Sequence, residues 1–197
     1  MRWWRFNRIV PLTFLLGLSA CATPPSHMNN VCAVFDQRNG WFDNWQQAAY
    51  RVSAKYGISV PILMATIRRE SGFNAYARPH HKYLLGLIPW GYVSSATGFS
   101  QALDGTWDQY RRETGNMMAQ RSGFADALDF VGWYYARSAA LLNISRDDIY
   151  HLYLAYSVGW SAYQHGAWRD NSDLQRYARG TAQMAADYAL QLQECGL

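Results

Sequence analysis

Acidic groups that could do proton chemistry are scarce in this chain. It carries three glutamates, Glu70, Glu113 and Glu194, and only three cysteines. Its cysteines and histidines show no metal-ligand spacing, and the His80-His81 doublet reads as loop surface, so no metal and no other cofactor is expected. No apolar run is long enough to span a membrane as a stable helix. Internal repeats and low-complexity tracts are missing, and no useful length alternates with period two, which argues against solenoids, disorder and extended sheets. What is present is apolar surface: 50% of residues are hydrophobic and 16% aromatic. Over about 175 residues that is enough for one domain with a true core.

The first twenty residues read as an export signal. Arg2, Arg5 and Arg8 precede a short apolar run over 9–20. The run ends in Leu18-Ser19-Ala20-Cys21, which resembles the lipobox of bacterial lipoproteins. The resemblance implies cleavage before Cys21 and acylation of its sulfur, and more than one acyl chain gives stable anchoring where a single chain does not. The plainer alternative is an ordinary secretory signal with a chance cysteine. Ala22, in place of an Asp, points to the periplasmic face of the outer membrane by resemblance to sorted lipoproteins. Without Arg2, Arg5 and Arg8 the chain keeps 15 basic against 14 acidic residues. The sequence pI near 9.0 therefore reports the signal, and no nucleic-acid partner is expected.

The remaining cysteines, Cys32 and Cys195, lie in polar segments near the two ends, where a bridge would tie the termini together in an oxidising compartment. Closing so long a loop stabilises by about 4–5 kcal/mol in the chain-entropy model. The alternative is two free thiols. Pro24-Pro25, Ser26 and Asn29-Asn30 make residues 21–40 read as a lipidated tether, leaving 41–197 as the folded domain.

The domain is helical almost throughout. Trp41 to Tyr56 predicts a first helix stopped by Gly57, and Pro61 opens a second that runs to Ser71 and stops at Gly72. Residues 72–97 hold Pro79, Gly86, Pro89 and Gly91 and no clean period, so they read as a long loop with a functional purpose. Further helices are expected over Asp104–Thr114, from a Ser122 cap to Leu142, from a Ser145/Asp148 capping box to Ser157, and from Asp173 to Gln193, with 159–171 as loop. The fold class is all-α.

The second helix carries the chemistry. Leu63, Thr66, Ile67 and Glu70 share one face, so Glu70 is the last residue of an apolar stripe. A carboxyl there loses hydration, which raises its pKa and keeps a proton available for a glycosidic oxygen. The plainer alternative is a helix-end charge paired to an arginine such as Arg69.

Three segments tip that balance. Arg69-Glu70-Ser71-Gly72-Phe73-Asn74 resembles the Glu-Ser motif of the soluble lytic transglycosylase family. Ala96-Thr97-Gly98-Phe99-Ser100-Gln101 resembles its Gly-Leu-Met-Gln motif, and Leu154-Ala155-Tyr156-Ser157-Val158-Gly159 its Ala-Tyr-Asn-Ala-Gly motif. They occur in the family's order over residues 44 to 165. The resemblance implies a lysozyme-like helical domain of the goose type, acting as a monomer on peptidoglycan. Its reaction cleaves the β-1,4 bond between N-acetylmuramic acid and N-acetylglucosamine without water and leaves 1,6-anhydro ends. It implies Glu70 as acid then base, Tyr156 as the tyrosine held near it, and Gln101 as a sugar ligand. Gly98, Phe99 and Ser100 would accompany Gln101 in the groove wall, with Gly98 allowing close backbone approach, and Ser71 would help turn the chain out of its helix.

Two departures alter that pattern. Ser100 stands for the family's Met and Ser157 for its Asn, and both are expected to change the groove. The stretch after Glu70 is longer than the family's and holds Tyr76, Tyr83, Trp90 and Tyr92, which suit a lid or wall for sugar rings. Asp104 is read as a helix cap, and Tyr156 could serve core packing alone. Two other functions stay open: a muramidase that uses water, and a wall-binding lipoprotein that has lost turnover.

Overall fold

The computed structural model describes residues 23–41, 43–79 and 94–197, with the backbone alone of two strands between 81 and 92. The signal segment and Cys21 lie outside the described residues.

Asparagines decide where several helices begin. Asn30 accepts from the Ala33 N–H at 3.0 Å and opens α1 (Val31–Gln37). Asn44 accepts from the Gln47 N–H at 2.8 Å and opens α2 (Trp45–Tyr56). The predicted start at Trp41 is thus four residues early, because Asn39 and Asn44 first pair as an isolated bridge. Helix α3 (Val60–Ser71) ends at Gly72, left-handed at φ 58°, as the sequence implies.

Chain 72–97 is not pure loop. It holds an antiparallel ribbon of β1 (His81–Leu84) and β2 (Ile88–Tyr92), with Tyr83 opposite Pro89 and Leu84 opposite Ile88. Strands of four and five residues, one containing a proline, are too short to display a period.

Helices α4 (Asp104–Thr114), α5 (Phe124–Leu142), α6 (Ile149–Val158), α7 (Trp160–Gln164) and α8 (Ser172–Glu194) follow. Ser122 does not cap α5; Gly123 occupies that position without a side-chain bond. At α6 the cap is Asp148 itself, accepting from the His151 N–H at 3.1 Å, so the box expected from Ser145 is not formed. Asn171 caps α8, and α7 interrupts the segment expected to be loop.

The core is built around α3. Val60 and every residue from Ile62 to Ile67 are buried, so this helix is enclosed on all sides rather than amphipathic. Helices α8, α5 and α2 enclose it. The α2–α5 approach depends on Gly132, where a Cβ would lie 2.6 Å from the Tyr56 ring and 2.7 Å from Val52. Trp45 stacks on Phe124 at 3.8 Å, with Phe99 edge-on to both.

Residues 31–37 belong to this core, contrary to the tether expected for 21–40. Val31, Val34 and Phe35 are buried, and the Val31 N–H donates to Gln191 Oε1 at 2.8 Å. The cysteine pairing is as expected: Cys32 and Cys195 are bonded, with Cα atoms 6.7 Å apart and a sequence separation of 163. Among the described residues no helix is long and apolar enough to cross a membrane.

Candidate active site

Glu70 occupies the last turn of α3, two residues before the chain turns out at Gly72. Its neighbours Arg68 and Arg69 are drawn away from it. Arg68 reaches Asn29 and the Tyr188 hydroxyl. Arg69 donates to Thr181 Oγ1 at 3.0 Å and lies over the Tyr177 ring at 5.6 Å. Gly180 leaves the room, since a Cβ there would come within 2.7 Å of Arg69 Nη2. The helix-end ion pair weighed as an alternative for Glu70 is therefore not formed.

Burial raises the Glu70 carboxyl from its ordinary 4.5 to about 7. Two weaker influences oppose burial: a hydrogen bond donated by the Tyr153 hydroxyl, then the positive charge of Arg69. The desolvation has two sources. One is the enclosed helix, and the other is a set of tyrosines from α5 and α6. Tyr135 is wholly buried, with its hydroxyl 2.8 Å from that of Thr66. Burial raises the pKa of Tyr135, Tyr153 and Tyr156, and the charge of Glu70 adds to each rise. All three phenols stay protonated, and of the three it is Tyr153 that donates to the Glu70 carboxyl.

Tyr153 is the partner that sequence reasoning missed. It lies one turn before Tyr156, and α6 is so apolar throughout that neither tyrosine marks a face. The hint was there in the spacing of three, which puts both hydroxyls on the side toward α3.

Tyr156 lies within electrostatic range of Glu70 and is hydrogen-bonded to the segment over 96–101. Its hydroxyl donates to the Ser100 carbonyl at 2.5 Å, while its ring lines a cleft of about 150 Å³ together with Gln101, Leu103, Ser157 and Gly159. The sequence-predicted pair Tyr156 and Gln101 is thus brought together. Gln101 is left-handed at φ 50°, and its amide donates to the carbonyls of Ala77 at 2.9 Å and Gly98 at 2.8 Å. Both its N–H donors hold the loop, and its Oε1 accepts no hydrogen bond among the described residues.

The rest of that motif departs from expectation. Gly98 does give a close approach, but to the protein: a Cβ there would lie 2.3 Å from the Arg121 carbonyl oxygen, at φ 77°. Phe99 is 4% exposed and packs between Trp45 and Phe124, so it is core and not groove. Ser100 is fully buried, and its hydroxyl has no hydrogen-bond partner among the described residues. It contributes its carbonyl, not a wall. Left-handed residues on both sides, Gly98 and Gln101, turn the two between them inward.

Ser71 Oγ donates back to the Ile67 carbonyl at 3.0 Å, and Ser157 Oγ to that of Tyr153 at 2.9 Å. Ser71 closes the last turn of α3, while Ser157 still lines the cleft. Asp104 is the first residue of α4 rather than its cap and pairs with Arg121 at 2.7 Å. Tyr76 is 66% exposed; the side chains of Tyr83, Trp90 and Tyr92, expected to form a lid, lie outside the described residues. No cluster of metal-binding side chains occurs among the described residues.

Comparison with known proteins gives one family. The model of the family described as transglycosylase SLT domain matches residues 9–195. No curated protein matches the chain. A solved structure of an inactive mutant of the lytic transglycosylase Slt from Pseudomonas aeruginosa is similar, at 15% identity and a TM-score of 0.49. The match covers 84% of this chain and 28% of that one, so the chain spans less than a third of the length of that protein.

Proposed function

Because this chain belongs to the transglycosylase SLT domain family, we propose that it cleaves peptidoglycan as a lytic transglycosylase, with Glu70 as its only acid and base. The observation that carries this reading is the partly buried Glu70 carboxyl, raised to about 7 among protonated tyrosines.

In its neutral form Glu70 donates its proton to the oxygen between N-acetylmuramic acid and N-acetylglucosamine. The bond from C1 to that oxygen breaks, and the sugar leaves as an alcohol. The carboxylate then takes the proton of the muramic C6 hydroxyl, whose oxygen bonds to C1 and closes a 1,6-anhydro ring. The proton count returns to its start, and no water is consumed. One group suffices, unlike the paired carboxylates of most glycosidases. Tyr153 steadies the carboxylate when it forms. Tyr156 carries the loop that bears Gln101, whose free Oε1 accepts from a sugar hydroxyl or acetamido N–H.

We place the enzyme at the periplasmic face of the outer membrane, anchored through Cys21. The Cys32–Cys195 bond fits an oxidising compartment. Mass spectrometry of digested sacculi tests the reaction. The wild type is expected to give anhydromuramic ends and Glu70→Gln none. Reducing ends would mean hydrolysis, and equal clearing by both chains would remove Glu70 from the chemistry.

A further inference from the structure

By composition the chain before α1 is slack, yet the fold fastens it down. The Thr23 carbonyl accepts from the Arg38 guanidinium. Ser26 donates to Gln37 Oε1 through its N–H at 2.9 Å and its hydroxyl at 3.2 Å, and Pro25 beside it is buried. The Met28 carbonyl accepts from the Tyr188 hydroxyl, and the Asn29 carbonyl from the Gln191 amide at 2.9 Å. Asn29 Oδ1 accepts from Arg68 in α3. Met28 packs on the core, and its sulfur lies 3.8 Å from where a Cβ on Gly72 would stand.

Residues 23–29 are therefore a strap, held by the end of α1, by α8 and by the end of α3. A terminus frays unless it is tied down, and this one is tied at successive points along its length. Between the strap and Cys21 stands Ala22 alone. Even at full extension Cys21 lies within about 7 Å of Thr23 and about 25 Å of Met28. Through the contact of Met28 with Gly72, Glu70 stays within about 40 Å of the Cys21 sulfur. A slack tether over 21–40 would have allowed about 65 Å between its own ends.

Granting the lipidation of Cys21 proposed above, we infer that the lipid is mounted on the folded domain without slack, so that the face carrying the strap abuts the membrane and Glu70 reaches only glycan within about 40 Å of the lipid surface. The strap makes the anchor a fixed mount: it sets both the height of the acid above the membrane and the side of the domain turned toward it.

The test uses the full lipidated chain reconstituted in phospholipid vesicles, with a dye on Met118→Cys, a position 84% exposed. A second version carries about sixteen Gly and Ser residues between Ala22 and Thr23, outside the fold, which adds about 20 Å of root-mean-square reach. The chain of native spacing is expected to keep most of its fluorescence anisotropy at long times, and the linker version to lose it. On intact sacculi the linker version is expected to release about twice as much anhydro product, through its longer reach. On short soluble glycan strands the two release alike. Anisotropy that decays equally in both, or equal release from sacculi, overturns the inference. A chain that stays off the vesicles overturns the Cys21 reading and this inference with it. Absence of anhydro ends overturns the catalytic reading alone, because the anisotropy is read without turnover.

Discussion

The proton on Glu70 can be followed by stability as well as by rate. Its folded pKa, about 7, lies above the 4.5 it has when exposed. Below pH 4.5 both states hold the proton and the site costs nothing. Between 4.5 and 7 the unfolded chain ionises while the folded one cannot, so stability falls through that window and levels off above it, by about 3 kcal/mol in total. Glu70→Gln should therefore unfold later than wild type in urea at pH 8, by roughly that amount, and match it at pH 4. Identical midpoints at pH 8 would mean the carboxyl is solvated. Cleavage by the wild type should fall as pH rises through about 7, because the proton donor is lost. Tyr153→Phe removes a donor that favours the ionised form, so the alkaline limb should move to higher pH. A pH–rate profile reads that shift. Glu70 was singled out by the scarcity of glutamates and by the three motif segments that tipped the balance toward it, since its helix is enclosed on all sides and carries no single apolar stripe. Tyr153 was not, because hydrophobic periodicity ranks a phenol by its ring and ignores its hydroxyl.

At the scale of elements, the 96–101 segment is a clasp. Tyr156 holds it through the Ser100 carbonyl, Gln101 through two carbonyls, and Gly98 by nesting against Arg121. Gly98→Ala meets both a left-handed φ and the Arg121 carbonyl, and should destabilise by more than about 2 kcal/mol. Gln101→Ala should cost about 1–3 kcal/mol through unsatisfied carbonyls and also raise KM, which a purely structural role would leave alone. Denaturant titration and steady-state kinetics separate these. The motif spacing placed Phe99 and Ser100 in a groove wall, whereas both side chains are buried. Which side chains face a groove depends on local φ, and two left-handed residues in four reverse it. Helix bodies were readable from apolar period, stop glycines and Pro61. Their starts drifted because Asn44 and Asn171, rather than Trp41 or Asp173, satisfy the first N–H groups.

The whole molecule is closed by α1 and α8. Cys32→Ser with Cys195→Ser should cost about 4–5 kcal/mol, given the 163-residue separation, and calorimetry of the two chains checks it. The pairing was foreseeable from two cysteines in polar termini. That residues 31–37 fold as a helix was not, because Pro, Ser and Asn around them imitate a linker until Asn30 is seen to be a cap.

The placement of Arg69 gives the closing helix a second duty. Its guanidinium rests on Tyr177 and on Thr181, the latter 112 residues downstream of it, and from there it eases the ionisation of Glu70. Linkage runs both ways. Ionisation of Glu70 in turn strengthens its attraction for the guanidinium that α8 holds.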